Sequence, residues 1–187
     1  MSFSNNDTIK KLEQLLPKSI HNQSVPKEVL IIIDEYIPKL NNKNIHQVVE
    51  NYLFKDEYLK QQVINNYGTI NNWDVSQITN MSNLFEYIRD FNEDVSNWNV
   101  SNVTSMSNLF HGAISFNQPL NNWDVSNVQN MENMFWRAES FDQPIDNWDV
   151  SNVENMHAMF WRAESFNQPL SWNVSKVTNM GGMFWCA

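Results

Sequence analysis

Cysteine is almost missing from this chain: Cys186 is the only one in 187 residues. A single thiol builds no disulfide framework and completes no Cys/His metal set, and His21, His46, His111 and His157 share no metal-ligand spacing. No metal or cofactor is therefore expected. Basic residues are also scarce. Twelve Lys and Arg stand against 21 Asp and Glu, for a net charge of −9. Neutralising a phosphate backbone needs a field of Lys and Arg, so nucleic acid is not an expected partner. Long apolar runs are missing too. The longest, Val29 to Ile33, is far too short to span a bilayer. The stretch Met1 to Asp7 is polar and has neither the basic segment nor the apolar run of a signal peptide, and no lipoprotein-type Cys follows it. A cytoplasmic location is the expectation.

What the chain does have is a period. Trp73, Trp98, Trp123, Trp148 and Trp172 are separated by 25, 25, 25 and 24 residues. Met81, Met106, Met131, Met156 and Met180 keep that step, as do Phe85, Phe110, Phe135, Phe160 and Phe184. A fixed period of this size marks one supersecondary unit stacked on copies of itself. Within one unit, Trp123 and Val125 alternate with Asn122, Asp124 and Ser126, the pattern of a short half-buried strand. From Val128 the spacing changes: Val128, Met131, Phe135 and Ala138 lie three, four and three residues apart, one face of a helix. Ser126 or Asn127 can cap that helix, and Pro119 sits in the return loop. The expected fold is α/β: a right-handed, leucine-rich-repeat-like solenoid of strand–helix repeats with an α-helical N-terminal cap. Strands pairing at roughly 4.8 Å and helices packing at about 8–10 Å would make it curve, strands inside.

The runs FNQPLNNWDVSNV (Phe116 to Val128) and NMENMF (Asn130 to Phe135) resemble the BspA-type repeat family. Such repeats occur in bacterial surface proteins, in mycoplasma lipoproteins and in large DNA viruses. The likeness covers about residue 70 to the end, four full repeats and a partial fifth. It implies a leucine-rich-repeat-like solenoid used for binding, with no catalytic residues to carry over. The missing signal peptide departs from the surface members. Together with the richness in Asn, Ile and Lys it points to the viral branch, with virion association as one expectation.

Residues 1–43 read as a helical extension, 44–70 as a helical cap and 71–187 as the solenoid. In the extension, Ile9, Leu12, Leu15 and Leu16 make a short amphipathic helix ended by Pro17. A second helix runs from Ser24 to Pro38, burying Val29, Ile32, Ile33, Tyr36 and Ile37. Pro26, Glu28, Val29, Ile33 and Ile37 resemble the opening of an F-box, which implies an adaptor that recruits a ubiquitin-ligase subunit. In the cap, Ile45, Val48, Val49, Tyr52 and Leu53 form one apolar stripe, Leu59, Val63 and Tyr67 another, and Gly68 can end the second helix. The sequence stops at Ala187, part-way through a repeat, so a homo-oligomer formed through that end is a further expectation.

Two surfaces stand out. On the outward strand positions lies a polar ladder through Asp74, Asn99, Asp124, Asp149 and Asn173. Asp124 and Asp149 as neighbours would suit an acid dyad or Ca²⁺, but no His or nucleophile joins them, and an enzyme is not expected. The plainer reading is a flat hydrogen-bonding face. The second surface follows the repeated Phe: Trp136, Trp161 and Trp185, with Arg137 and Arg162 next to them. One residue on from a core Phe is about 100° round a helix, so these rings would edge the buried face. Trp and Arg are enriched in protein-binding hot spots. Alternatively each ring simply packs on its neighbour. The function expected is a non-enzymatic protein–protein interaction module, the alternatives being a self-assembling structural protein or the adaptor.

Overall fold

The computed structural model describes residues 39–54 and 56–187. The two helices expected between residues 9 and 38, and with them the F-box-like segment, lie outside the described residues. The described residues fall into two compact units: Lys39 with 47–68, and 40–46 with 69–187.

Helix α1 runs Ile45–Leu53 and helix α2 runs Glu57–Tyr67. Both form where the apolar stripes place them. Ile45, Val48, Val49 and Tyr52 of α1 are buried, and Val63 of α2. Asp56 caps α2, its carboxylate accepting the Leu59 N–H at 3.0 Å. Gly68, at φ 76°, ends it by donating its N–H to the Ile64 carbonyl at 2.8 Å.

The repeat unit departs from the expected α/β solenoid. Among the described residues it contains neither an α-helix nor a sheet. Each 25-residue repeat contributes a single bridging residue, and the parallel pairs run Asn80–Ser105–Asn130–Asn155–Asn179. With no strand and no helix there is no crossover, so the right-handed βα connection has nothing to act on.

Local turns explain why the strand does not form. Where Trp123 to Ser126 should extend, the Ser126 N–H folds back onto the Asp124 carboxylate at 3.1 Å. The Val128 N–H then closes a turn onto the Val125 carbonyl at 2.9 Å. The helix fails for a different reason. Met81, Asn83, Phe85 and Tyr87 donate their N–H groups to the next repeat, onto the carbonyls of Ser105, Ser107, Leu109 and His111 at 2.9, 2.9, 3.0 and 2.6 Å. The intervening Leu84, Glu86 and Ile88 turn back three residues, onto Met81, Asn83 and Phe85. Alternate residues thus bond within the coil and across to its neighbour. Left-handed backbone at Asn83 and Tyr87, φ 62° and 58°, permits the repeated reversal. The chain has only four glycines, so most of these left-handed positions fall to other residues: Asn108, Asn133, Arg137, Ala158, Arg162 and Cys186.

Spacing decides the matter. The Phe85, Phe110, Phe135, Phe160 and Phe184 rings stack with centroids 5.6, 5.6, 5.5 and 5.4 Å apart. That column lies on the side expected to be helical, and helices do not pack closer than about 8 Å. A stack advancing near strand spacing on all sides admits only extended or turn-built backbone.

The apolar columns supply the core. Trp73, Trp98, Trp123 and Trp148 are each 3% exposed, and Met81, Met106, Met131 and Met156 are fully buried. A second Phe file, Phe91, Phe116, Phe141 and Phe166, runs beside the first at 5.7, 5.9 and 5.9 Å. Each buried ring contributes roughly 1.5–3 kcal/mol before entropy, and offset stacking adds about 0.5–1.5 kcal/mol per pair. The indoles satisfy their N–H on the preceding coil: the buried Trp98, Trp123 and Trp148 and the half-buried Trp172 donate to the carbonyls of Ile70, Val95, Leu120 and Ile145.

At the N-terminal end of the stack, one side chain replaces a missing coil. Inside the stack, the N–H groups of Gln129 and Asn130 both point at the Thr104 carbonyl, at 2.8 and 3.3 Å. For Thr79 and Asn80, at the same place in the first coil, the acceptor is the Asn42 side-chain carbonyl, at 3.0 and 3.3 Å. The Asn42 amide group also donates to the Thr79 hydroxyl at 2.7 Å.

Candidate interaction surfaces

The polar ladder lies where each coil bends. Asp74, Asn99, Asp124, Asp149 and Asn173 each accept the N–H of the serine two residues on, at 3.0, 3.2, 3.1, 3.0 and 3.2 Å. All five are exposed. Their first task is to close a turn, which a short side chain carrying a carbonyl or carboxylate oxygen does well. The Ser151 hydroxyl, then its N–H, hold the Asp149 carboxyl below the usual carboxylate range. Ser96 does the same to Asp94. Among the described residues no cluster of three or more His, Cys, Asp or Glu is arranged to hold a metal ion.

The aromatic flank is a continuous stack. Trp136, Trp161 and Trp185 follow one another with ring centroids 5.0 and 4.8 Å apart. Two further rings that the sequence reading did not include extend it: His111 stacks on Trp136 at 5.2 Å, and Tyr87 tilts onto His111 at 4.6 Å. His111 shares a repeat position with Trp136, so the period alone could have found it. Tyr87 sits one position later and leaves no such trace. Its ring lies over Gly112, where a Cβ would come within 2.8 Å of it.

Backbone bonds set the ring spacing. The N–H groups of Tyr87, Gly112, Arg137 and Arg162 donate to the carbonyls of His111, Trp136, Trp161 and Trp185 in the following coil, at 2.6, 2.7, 2.7 and 2.9 Å. The neighbours of the rings, Arg137 and Arg162, carry left-handed backbone, φ 54° and 56°. Trp136, Trp161 and Arg137 are half-buried, while Arg162, Trp185 and Tyr87 are exposed. Arg137 reaches Glu139 Oε1 at 3.5 Å, and its Nε is buried with no hydrogen-bond partner. His111 is buried, its Nδ1 3.2 Å from Glu86 Oε1 but not aligned for a hydrogen bond. Burial pushes the His111 imidazole below its ordinary value, and the Glu86 carboxylate only partly opposes that.

Two amide ladders brace the outside. Asn108 donates to Asn83 at 2.9 Å and Asn133 to Asn108 at 3.0 Å. Ala158 then breaks the series, leaving the buried Asn133 Oδ1 without a donor. In the second ladder, Asn92, Asn117 and Asp142 accept the N–H groups of Asn117, Asp142 and Asn167. Gln118, Gln143 and Gln168 donate to the same three acceptor oxygens.

Among the described residues no helix is long and apolar enough to cross a membrane. The family described as mycoplasma protein of unknown function, DUF285, matches residues 50–171 and, overlapping, 131–187. No curated protein and no solved structure matches the chain.

Proposed function

The chain belongs to this family, and since its description assigns no activity, we propose from the surface that the protein is a non-enzymatic module for binding another protein. The observation that carries the reading is the stacked flank of Trp136, Trp161 and Trp185 with Arg137 and Arg162 beside it. Rings pinned by a backbone ladder lose little entropy when a partner covers them. That is the condition under which Trp and Arg become hot spots. The likeness of FNQPLNNWDVSNV to BspA-type repeats supports the same reading, because those repeats are used for binding. The Asp and Asn ladder serves the turns and is assigned no part in recognition.

The test is affinity capture from the native source with three baits: the natural chain, Trp136→Ala/Trp161→Ala and Arg137→Glu/Arg162→Glu. A hot-spot pair costs at least about 2 kcal/mol, or some 30-fold in affinity. A protein held by the natural chain should be lost from both variants, with near-UV circular dichroism confirming that the charge-reversal variant is folded. Equal retention on all three baits rejects the reading.

A further inference from the structure

The chain carries two files of tryptophan, and they differ in where the indole N–H goes. In the inner file, Trp98, Trp123 and Trp148 donate it to carbonyls of the preceding coil. In the outer file, the indole N–H groups of Trp136 and Trp161 make no hydrogen bond with the described residues. Neither nitrogen is buried, so both donors are open to solvent. The ring faces are not open. Trp136 lies between His111 and Trp161, with centroids 5.2 and 5.0 Å away, and Trp161 lies between Trp136 and Trp185, at 5.0 and 4.8 Å. What these two residues offer a partner is therefore ring edges. An aromatic edge carries the positive end of the ring quadrupole, and the indole N–H, a donor only, sits on it. From residue 70 onward the basic residues are Arg89, Arg137, Arg162 and Lys176, and two of these four directly follow the outer tryptophans. Arg137 is shared with Glu139. Glu164, at the same repeat position as Glu139, makes no such pair with Arg162, whose exposed guanidinium has no partner among the described residues.

We infer that the flank takes an acidic segment of its partner, whose Asp or Glu carboxylates accept the indole N–H groups of Trp136 and Trp161 and the guanidinium N–H groups of Arg162. The inference rests on the flank being the binding surface, and it states the chemistry that binds there. Unfilled donors beside an unpaired cation call for an ionised acceptor, and hydrogen bonds to such an acceptor are about twice as strong as those between neutral groups. Sugars and nucleobases bind aromatic rings by stacking on a face, and both faces of Trp136 and of Trp161 are covered. The net charge of −9 acts at long range, where salt screens it, whereas the contact is decided by the donors and charges at the flank itself.

The experiment uses the full chain and deca-glutamate, with deca-glutamine as the uncharged control and decathymidylate as the phosphate control. Indole N–H resonances are followed by NMR, and dissociation constants by anisotropy of the labelled probe. Deca-glutamate should shift the Trp136 and Trp161 indole signals and leave those of Trp98, Trp123 and Trp148 in place. Trp136→Phe/Trp161→Phe keeps stacked rings and removes the two donors, and Arg162→Gln removes the free charge. Each should weaken binding about tenfold or more, with unmoved Trp98, Trp123 and Trp148 signals confirming the fold. No shift at Trp136 and Trp161 overturns the inference. So does an equal response to deca-glutamine, or an unchanged affinity in either variant. Tighter binding of decathymidylate also overturns it and assigns the donors to phosphate. The Phe pair used as a bait beside the Ala pair separates this inference from the reading it rests on. A captured protein lost from the Ala pair but kept on the Phe pair leaves the flank a binding surface and removes only the acidic segment.

Discussion

Phe85 and Phe184 hold the same place in the repeat, at the two ends of one stack. Phe85 is fully buried and Phe184 is 51% exposed. Met81 and Met180 differ in the same way, 0% against 41%. Both members of each pair hold one repeat position, so the period alone does not separate them. A single coil of this protein has no inside; its interior exists only where another surface lies against it. The two sites differ in their neighbours: Phe85 lies against Phe110 of the following coil, whereas Phe184 lies against Phe160 of the preceding coil. At the closed end, the Asn42 side chain supplies an acceptor where the backbone of a preceding coil would supply it. In the last described coil the N–H groups of Met180, Gly182, Phe184 and Cys186 make no hydrogen bond with the described residues. Stability in such a stack is a sum over neighbouring interfaces, so a substitution should cost in proportion to how many interfaces its site shares.

The largest effect expected from this comparison is the contrast between Phe135→Ala and Phe184→Ala. Phe135 stacks on Phe110 and Phe160 and is fully buried. Its truncation should cost about 3–5 kcal/mol in urea unfolding. Phe184 touches one coil only, through Phe160. Its truncation should cost under about 1.5 kcal/mol, the value of one exposed stack. Equal losses would mean that the ends are as cohesive as the middle. Next in size is Asn42→Ala, which takes away the acceptor of two N–H groups and the donor to the Thr79 hydroxyl. It should cost about 1–2 kcal/mol. Amide exchange should speed up at Thr79 and Asn80 and stay unchanged at Glu154 and Asn155. Exchange that rises evenly along the stack would deny Asn42 its capping role.

The columns of Trp, Met and Phe were legible in the sequence because a period is a long-range signal that survives any local backbone. The backbone itself was not. Met81, Leu84, Phe85 and Ile88 have helical spacing and are all buried, but a run of turns that reverses at Asn83 and Tyr87 buries the same set. What separates the two is the advance per repeat, about 5.5 Å along the Phe file, which no single repeat encodes. The alternation at Trp123 and Val125 misled for a related reason. Asp124 and Ser126 read as outward strand residues, while in the fold one closes a turn on the other. Of the flank, Trp136, Trp161 and Trp185 could be found from the period. Tyr87 joins them only because Gly112 leaves its ring room.

A smaller effect tests how far the interior pattern can be extended. The Asn83–Asn108–Asn133 ladder stops at Ala158, which keeps the left-handed backbone, φ 50°, but has no amide. Ala158→Asn puts a donor beside the orphaned Asn133 Oδ1 and places in a left-handed site a residue that tolerates it better. The gain should be about 0.5–1.5 kcal/mol, read as a higher urea midpoint at unchanged slope. A lower midpoint would show that the outer ladder is filled to capacity at Asn133.

The smallest expected effect is one of pH, and it sets His111 apart from the Trp residues that follow it in the file. Burial lowers the His111 pKa in the folded chain below the ordinary 6.5. The unfolded chain therefore takes up the proton first. Above pH 6.5 both states are neutral at this site and His111 adds no pH dependence. As pH falls through 6.5 the unfolded state gains a proton that the fold resists, and stability declines until the folded value is passed. Asp94 and Asp149 act in a separate window. Their folded values lie below 3.8, so the stability they contribute is present above 3.8 and is lost as pH falls through those lower values. Urea midpoints between pH 7.5 and 4.5 should thus fall towards the acid side in the natural chain and flatten in His111→Gln. If the two curves keep the same slope, the imidazole is not what the stack opposes, and the Glu86 carboxylate 3.2 Å away offsets its burial in full.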